Sequence, residues 1–172
     1  MSKYKIKLNG LKDGSYINSF RIRGEFFETL NSSEIKLVDI DIDTVLKVEN
    51  RRYNLEIKSN GMVIDIPCDI CTEKINIPIS SEINYIIKKG IGKDLEDENV
   101  IFVDEKDKEL ILDSILYEMI VLAFPAKRQH QLNSINDEEC NKEMVNLINK
   151  YSIKEQKEID PRWEKLKNIK LK

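Results

Sequence analysis

Histidine, cysteine and long apolar runs are scarce in this sequence, and each scarcity narrows what the chain can do. The 172 residues include one histidine and three cysteines, so acid–base or metal chemistry has few side chains to recruit. No apolar run approaches the roughly 20 residues that a membrane-spanning helix requires. The first residues alternate charged with apolar side chains and lack the apolar core of a secretory signal. The sequence therefore predicts a soluble, cytoplasmic protein with no membrane partner.

The balance of apolar and charged residues is typical of one folded domain. Hydrophobic residues make up 41% of the chain and charged residues 34%, which is too apolar a composition for a disordered chain. The 28 basic and 31 acidic residues give a net charge of −3. This balance excludes a globally basic nucleic-acid coat protein, although local basic faces can still occur.

Alternation of apolar and polar residues predicts strands in the first two-thirds of the chain. From Val38 to Val48 every second residue is apolar or threonine, and most of the residues between them are charged. This pattern is typical of a strand with one face towards the core and the other towards solvent. A second strand follows around Tyr53–Ile57, and Asn60-Gly61 has the composition of a two-residue hairpin turn. The sheet is expected to be antiparallel and to bury Ile40, Ile42, Tyr53, Leu55, Ile57, Ile64, Ile77 and Tyr85.

Further strands are predicted on both sides of this pair. One or two precede it, around Tyr4–Leu8 and Ile17–Ile22. After Asn60-Gly61 the pattern predicts a third strand with Met62, Ile64 and Ile66 inward. The alternation then continues from residue 75 to 87, where Pro78 among the outward positions indicates a sheet edge or a bulge. One short strand, at residues 100–103, lies within the acidic stretch from 94 to 109.

Helical patterns replace strands after this acidic stretch. Asp113 or Ser114 is the predicted N-cap of an apolar, buried helix that Pro125 ends. Asn141 is the predicted N-cap of a second helix, with one apolar face. Asp160-Pro161 begins a third, which we expect to pack Trp163 on the body of the domain.

Strands followed by helices indicate an α+β fold. We predict an antiparallel β meander, or a partly closed barrel, followed by C-terminal helices. The whole chain, 1–172, is expected to form a single domain, mainly strands over 1–104 and mainly helices over 109–172.

The motif Cys68-Asp69-Ile70-Cys71 is the main candidate for chemistry. Structural zinc takes four nitrogen or sulfur ligands, and the only other thiol and imidazole in the chain are Cys140 and His130. A Cys₃His zinc site is therefore one interpretation, and cysteines without metal are another. A redox pair is a third, although such motifs normally begin a helix in a thioredoxin-like setting.

Other catalytic and cation-binding arrangements are poorly supported. Asp39, Asp41 and Asp43 line the outward face of a strand and lack the glycine and distal glutamate of an EF-hand loop. The six glycines are scattered, so no phosphate-binding loop is present. A nucleophile–histidine pair would have to involve His130, and nothing nearby resembles a nucleophile elbow. We therefore expect no enzymatic activity and no small-molecule substrate.

Basic residues are concentrated at the C-terminal end. From 150 to 172 there are eight basic and four acidic side chains, a local net charge of +4. Such a segment can bind RNA phosphates or an acidic protein face, and it can equally be an ordinary solvated helix end. The candidate contacts for RNA or a partner are Lys127, Arg128, Arg162, Lys165, Lys167 and Lys170.

The order and spacing of these motifs resemble the YceD family of large-subunit ribosomal RNA accumulation proteins. The matching pieces are Ile66-Pro67-Cys68-Asp69-Ile70-Cys71, the segment from Glu109 through Tyr117 to Pro125, and His130 and Cys140 behind it. The ending with Asp160-Pro161-Arg162-Trp163 looks like the version found in Bacteroidetes-type bacteria. Two departures are evident: only Cys140 remains of a cysteine-rich second half, and Ile70 replaces an arginine.

The resemblance implies a bacterial factor, without established catalytic activity, that supports 23S ribosomal RNA accumulation and large-subunit assembly. Its expected partners are ribosomal RNA, a ribosomal protein or both. A different class of function also fits the sequence, namely a protein–protein adaptor that acts through a sheet edge or the acidic loop and never contacts RNA. Steep salt dependence of binding would distinguish RNA binding from the adaptor.

Overall fold

Seven strands and three helices make up the part of the chain that the computed structural model describes, residues 3–29, 35–90, 99–130 and 139–152. The strands are β1 (Lys5–Lys7), β2 (Gly14–Arg23), β3 (Leu37–Glu49), β4 (Arg52–Pro67), β5 (Lys74–Lys89), β6 (Val100–Val103) and β7 (Glu109–Ile111). The helices are α1 (Gly24–Thr29), α2 (Asp113–Ala123) and α3 (Lys142–Tyr151).

A five-stranded sheet in the order β2-β3-β4-β5-β6 forms the centre of the fold. Strands β2 to β5 are a continuous antiparallel meander, whereas β6 pairs parallel to the end of β5. The α+β class is confirmed, and the expectation of a wholly antiparallel sheet is wrong at β6. Strand β6 runs in the same direction as the end of β5, so that Ile86 pairs with Val100 and Lys89 pairs with Val103. In the described strands β2 and β6 are the two outer members, so a partly closed barrel is not confirmed.

Strand β1 lies within the segment Tyr4–Leu8, where a strand was predicted, whereas β7 and α1 were not predicted from the sequence. Strands β1 and β7 are three residues each and form a separate antiparallel ladder. Helix α1 has six residues and places Phe26 and Phe27 in the core. Both β7 and α1 are too short for a period to be recognised in the sequence.

The predicted alternation in β3 is confirmed, because all six residues of its inward set are buried. Of the eight sheet residues expected to be buried, Ile40, Ile42, Leu55, Ile57 and Ile77 are buried. Tyr53, Ile64 and Tyr85 are only partly buried. The two tyrosines lie towards the end of the sheet that carries the β3–β4 turn. Ile64 lies where the alternation of buried and exposed residues along β4 shifts by one position.

The predicted hairpin turn at Asn60-Gly61 is wrong, because the two strands predicted on either side of it form one continuous strand, β4. The turn between β3 and β4 lies at Asn50-Arg51. Asn50 and Arg51 have positive φ angles, 49° and 64°, which is the backbone conformation of a tight hairpin. Gly61 instead lies in the middle of β4, opposite Ile40. A Cβ at Gly61 would lie 2.2 Å from the carbonyl oxygen of Asp39, so glycine is needed here for close strand approach.

A β-bulge at Asp65 reverses which residues of β4 face the core. Before it, Leu55, Ile57 and Val63 are buried, and after it Ile66 is buried; the pairing with β5 shifts between Val63 and Ile66. Asp65 has a φ of 62°, and its amide donates to Asn76 Oδ1 at 3.1 Å. The predicted inward set of Met62, Ile64 and Ile66 is therefore correct only beyond the bulge.

The helices agree with the sequence patterns in position and differ in detail. Helix α2 ends before Pro125 as predicted, but its N-cap is Leu112, with no side-chain cap. We expected α2 to be buried over most of its circumference, and this expectation is wrong at Leu122, which is 77% exposed. Asn141 caps α3 as predicted, accepting from the amides of Glu143 and Met144. The predicted helix at Asp160-Pro161 lies outside the described residues.

Among the residues described above, no helix has both the length and the apolar character needed to cross a membrane.

Substituting Gly61 should destabilise the meander. Gly61→Ala places a methyl group against the backbone of β3, so the two strands must separate, and we expect a loss of about 1–3 kcal/mol in unfolding free energy. Ser80→Ala, at an exposed position of the neighbouring β5, should change it by less than about 0.5 kcal/mol. Urea unfolding followed by circular dichroism measures both. Equal midpoints for the two variants would contradict the close-approach argument.

Candidate metal centre

The Cys68–Cys71 turn joins β4 to β5 at the end of the sheet next to the bulge. The Cys68 amide donates to the Glu73 carbonyl at 2.8 Å, and the Thr72 amide donates to the Cys68 carbonyl at 3.0 Å. Thr72 adopts a φ of 63° to close the loop. Because the bulge has reversed the inward face of β4, both Cys68 and Cys71 point into the protein and are buried.

His130 and Cys140 reach this turn from the helical part of the chain. His130 follows the end of α2, and Cys140 lies just before Asn141, the N-cap of α3. His130 Nδ1 is 3.5 Å from Cys71 Sγ and 3.6 Å from Cys140 Sγ. The two sulfurs of Cys68 and Cys140 are 3.7 Å apart. The structure thus brings together all four metal-ligand candidates that the sequence indicated.

The geometry of this Cys₃His cluster suits a single tetrahedral ion. The four ligand atoms all lie within 4.8 Å of one another, and three of the separations match the edges of a tetrahedron with bonds of about 2.0–2.3 Å. All four residues are buried. Three sulfurs and one imidazole nitrogen are the donor set of structural zinc sites. The cluster is therefore compatible with zinc.

The protonation of the cysteines also favours a metal site. Burial acts to raise the pKa of Cys68, but amide hydrogen bonds from Cys71, Ile70 and His130 and the His130 side chain outweigh it and lower this pKa to about 6. Burial and the neighbouring Cys68 raise the pKa of Cys140 to about 11. Two sulfurs in contact cannot both carry a negative charge without a cation between them. One proton is held at Cys140, where a metal ion can replace it.

Polar contacts around the cluster fix the segment that carries His130. Asp69, inside the Cys-x-x-Cys turn, accepts from the Arg128 amide at 2.7 Å and from Arg128 Nε at 3.2 Å. The Asp69 amide in turn donates to the Arg128 carbonyl at 2.7 Å. Glu73 Oε1 accepts from Asn141 Nδ2 at 3.2 Å. These contacts join both ligand-bearing segments to the turn, as supporting bonds around metal ligands commonly do.

The sequence did not reveal these supporting residues. Asp69 and Glu73 are acidic residues in or beside a Cys-x-x-Cys motif, which is a weak signal. Their partners lie 59 and 68 residues away along the chain, so only the folded structure identifies the pairs.

The candidate RNA or partner contacts are divided between described and undescribed parts of the chain. Lys127 is exposed. Arg128 is partly buried, bonded to Asp69, with its guanidinium 5.9 Å from the centre of the Phe124 ring. The remaining candidates, Arg162, Lys165, Lys167 and Lys170, lie outside the described residues.

Comparison with known proteins gives one match. The family described as large ribosomal RNA subunit accumulation protein YceD matches residues 59–170, a region that includes all four members of the Cys₃His cluster. No curated protein and no solved structure matches the chain. The family match covers more than half of the sequence and agrees with the resemblance noted from its motifs, so the chain belongs to the YceD family.

Proposed function

We propose that this chain is a non-catalytic ribosome-assembly factor that supports 23S ribosomal RNA accumulation and large-subunit biogenesis. The observation that carries the proposal is the YceD family match across residues 59–170. The family description names large ribosomal RNA subunit accumulation. Binding of ribosomal RNA, of a ribosomal protein or of both is the means by which a bacterial cytoplasmic factor of this kind would act.

The Cys₃His cluster supports a structural role for zinc in this function. Four buried protein donors fill a tetrahedral coordination shell and leave no position for water or substrate. An ion held this way stabilises a fold and does not activate a nucleophile. Zinc would join the segment after α2 and the start of α3 to the β4–β5 turn.

The cluster also bears on the candidate RNA contacts. Lys127 and Arg128 precede His130 by three and two residues. A His130–zinc bond would therefore fix the backbone that carries both cations next to the Asp69 contact. Ordered cations at such a site can bind phosphates at a smaller entropic cost than flexible ones.

A protein–protein adaptor without RNA contact is the second candidate, and exposed apolar residues favour it. Leu122 on α2 is 77% exposed, and Leu147, Ile148 and Tyr151 on α3 are 47%, 41% and 73% exposed. Strand β5 also has an unpaired edge in the described part of the sheet, because β6 pairs only with Ile86–Lys89. Both features can bind protein partners.

Zinc content tests whether the Cys₃His cluster holds a metal ion. Reduced wild-type protein should contain about one zinc per chain by elemental analysis, and Cys71→Ser should contain almost none because three ligands hold the ion poorly. Thr72→Ser, which changes an exposed residue of the same turn, is the matched control and should retain zinc.

Hydrogen exchange then tests what the ion does. In Cys71→Ser the Asp69 amide, bonded to Arg128, should lose protection, while amides between β3 and β4 stay protected. The contradicting outcome is folded, reduced wild-type protein that contains no zinc and has the same exchange pattern as both variants. The cluster would then hold no structural metal.

Capture from native lysate tests the assembly role. Tagged wild-type chain and Thr72→Ser should both recover large-subunit ribosomal RNA with ribosomal proteins, and Cys71→Ser should recover less of both. Recovery should fall steeply as salt rises if RNA phosphates are contacted. Ribosomal proteins that remain bound after ribonuclease treatment and at high salt would support the adaptor instead. Absence of all large-subunit components would contradict the proposed function.

A further inference from the structure

A second cationic surface lies at the opposite end of the β4–β5 hairpin from the Cys₃His cluster. It is an open groove of about 1070 Å³ between the β3–β4 turn and the end of β5. We call it the turn groove, and its charged lining residues are Arg51, Arg52, Lys88, Lys89 and Glu105. Strand β4 has 16 residues, so the groove and the cluster are about 50 Å apart along the strand.

The turn groove has a net charge of +3 from its lining side chains, in a chain whose net charge is −3. All four cations are exposed, and in the part of the chain that the structure describes none of them forms an ion pair. Elsewhere on the described surface some cations form ion pairs with carboxylates, among them Lys5–Glu109, Arg21–Asp39, Lys58–Glu56 and Lys74–Asp65.

The fold holds these like charges close together. Arg51 is fixed by the positive φ of the hairpin turn, and Arg52 begins β4, one residue before the Tyr53–Ile87 pair. Parallel pairing with β6 sets the backbone of Lys88 and Lys89 opposite Phe102 and Val103. In the ladders Arg52 lies opposite Glu49 of β3, so the four cations are neighbours at one end of the sheet and are not cross-strand partners of one another. An anionic ligand would reduce the repulsion among these neighbouring charges.

Aromatic rings position two of the ammonium groups. Lys89 Nζ is 5.2 Å from the centre of the Tyr53 ring, and Lys88 Nζ is 5.9 Å from the centre of the Phe102 ring. Contacts of this kind hold the lysine stem and leave the ammonium donors available. Lys89 thus occupies one face of the Tyr53 ring.

We propose that the turn groove binds the phosphodiester backbone of RNA, without reading its bases. The inference deepens the proposed function, on which it rests, by naming cations other than Lys127, Arg128 and those near the C-terminus. Clustered Arg and Lys side chains in an open groove, with no ion pair to any described residue, match a line of phosphates. Arg51 and Arg52 precede the region matched by the family, so half of the cationic lining lies outside that match.

The test measures binding of a 20-nucleotide oligouridine by fluorescence anisotropy between 50 and 300 mM KCl. The variant Arg52→Gln/Lys89→Gln removes two groove charges. The matched control, Arg23→Gln/Lys36→Gln, removes two exposed charges at the other end of β2 and β3. Both variants should unfold at the wild-type urea concentration, which shows that a loss of binding is not a loss of fold.

The expected result follows from counterion release. Each phosphate contact on single-stranded RNA contributes about 0.7 to the slope of log affinity against log salt. The groove variant should therefore flatten the slope by about 1.4 and weaken binding about 25-fold at 0.1 M salt. The control variant should match wild type in both measurements.

Three results would overturn the proposal, each with a different consequence. If both variants bind like wild type, RNA contacts lie elsewhere, and the assembly role stands without the groove. If wild type does not bind the oligouridine while lysate capture still recovers ribosomal proteins, the adaptor form of the function stands alone. If polyglutamate of equal charge binds as tightly as RNA and is equally weakened by the groove variant, the groove binds an acidic protein segment.

Discussion

The single extra residue at Asp65 determines where the Cys₃His cluster can form. Side chains alternate between the two faces of a strand, so an unbroken β4 that buries Leu55, Ile57 and Val63 would direct Cys68 to solvent. The bulge shifts the alternation, and Ile66 and Cys68 then face inward. The Asn76 and Lys74 side chains bond Asp65 and hold the bulge in place. The metal-ligand geometry therefore depends on a feature of the sheet that contains no ligand.

Beyond the sheet, the cluster and its polar neighbours link the helical part of the chain to the meander. Helix α3 contributes little burial of its own, since none of its residues is fully buried. It is attached by Met144 and Val145, which are partly buried against the core, by Cys140 directly before the cap, and by the Asn141–Glu73 hydrogen bond. Coordination bonds to a metal ion can hold a segment in place when it has too little apolar surface to form a hydrophobic interface.

Features that depend on neighbouring residues in the sequence could be predicted from it, whereas contacts between residues far apart in the sequence could not. Alternation in β3 and the Asn141 cap were predicted because each depends on neighbouring residues alone. The Asn60-Gly61 turn was misassigned because glycine serves a close strand approach as readily as a turn, and only the distance to Asp39 separates the two. The four ligand candidates were recognisable because thiols and imidazoles are so few. The Asp69–Arg128 contact and the cationic groove had no comparable signal, since each unites segments that the sequence keeps far apart.

The separation of the ligands along the chain sets an order of events during synthesis. Cys68 and Cys71 leave the translating ribosome together, whereas Cys140 follows 72 residues after Cys68. At elongation rates of about 5–20 residues per second, the thiol pair waits roughly 4–14 s until Cys140 is synthesised. During that interval the meander can already be complete, because all of β1 to β5 precedes residue 90. The nascent sheet is thus available as a template before the segment that carries His130 and Cys140 has been synthesised.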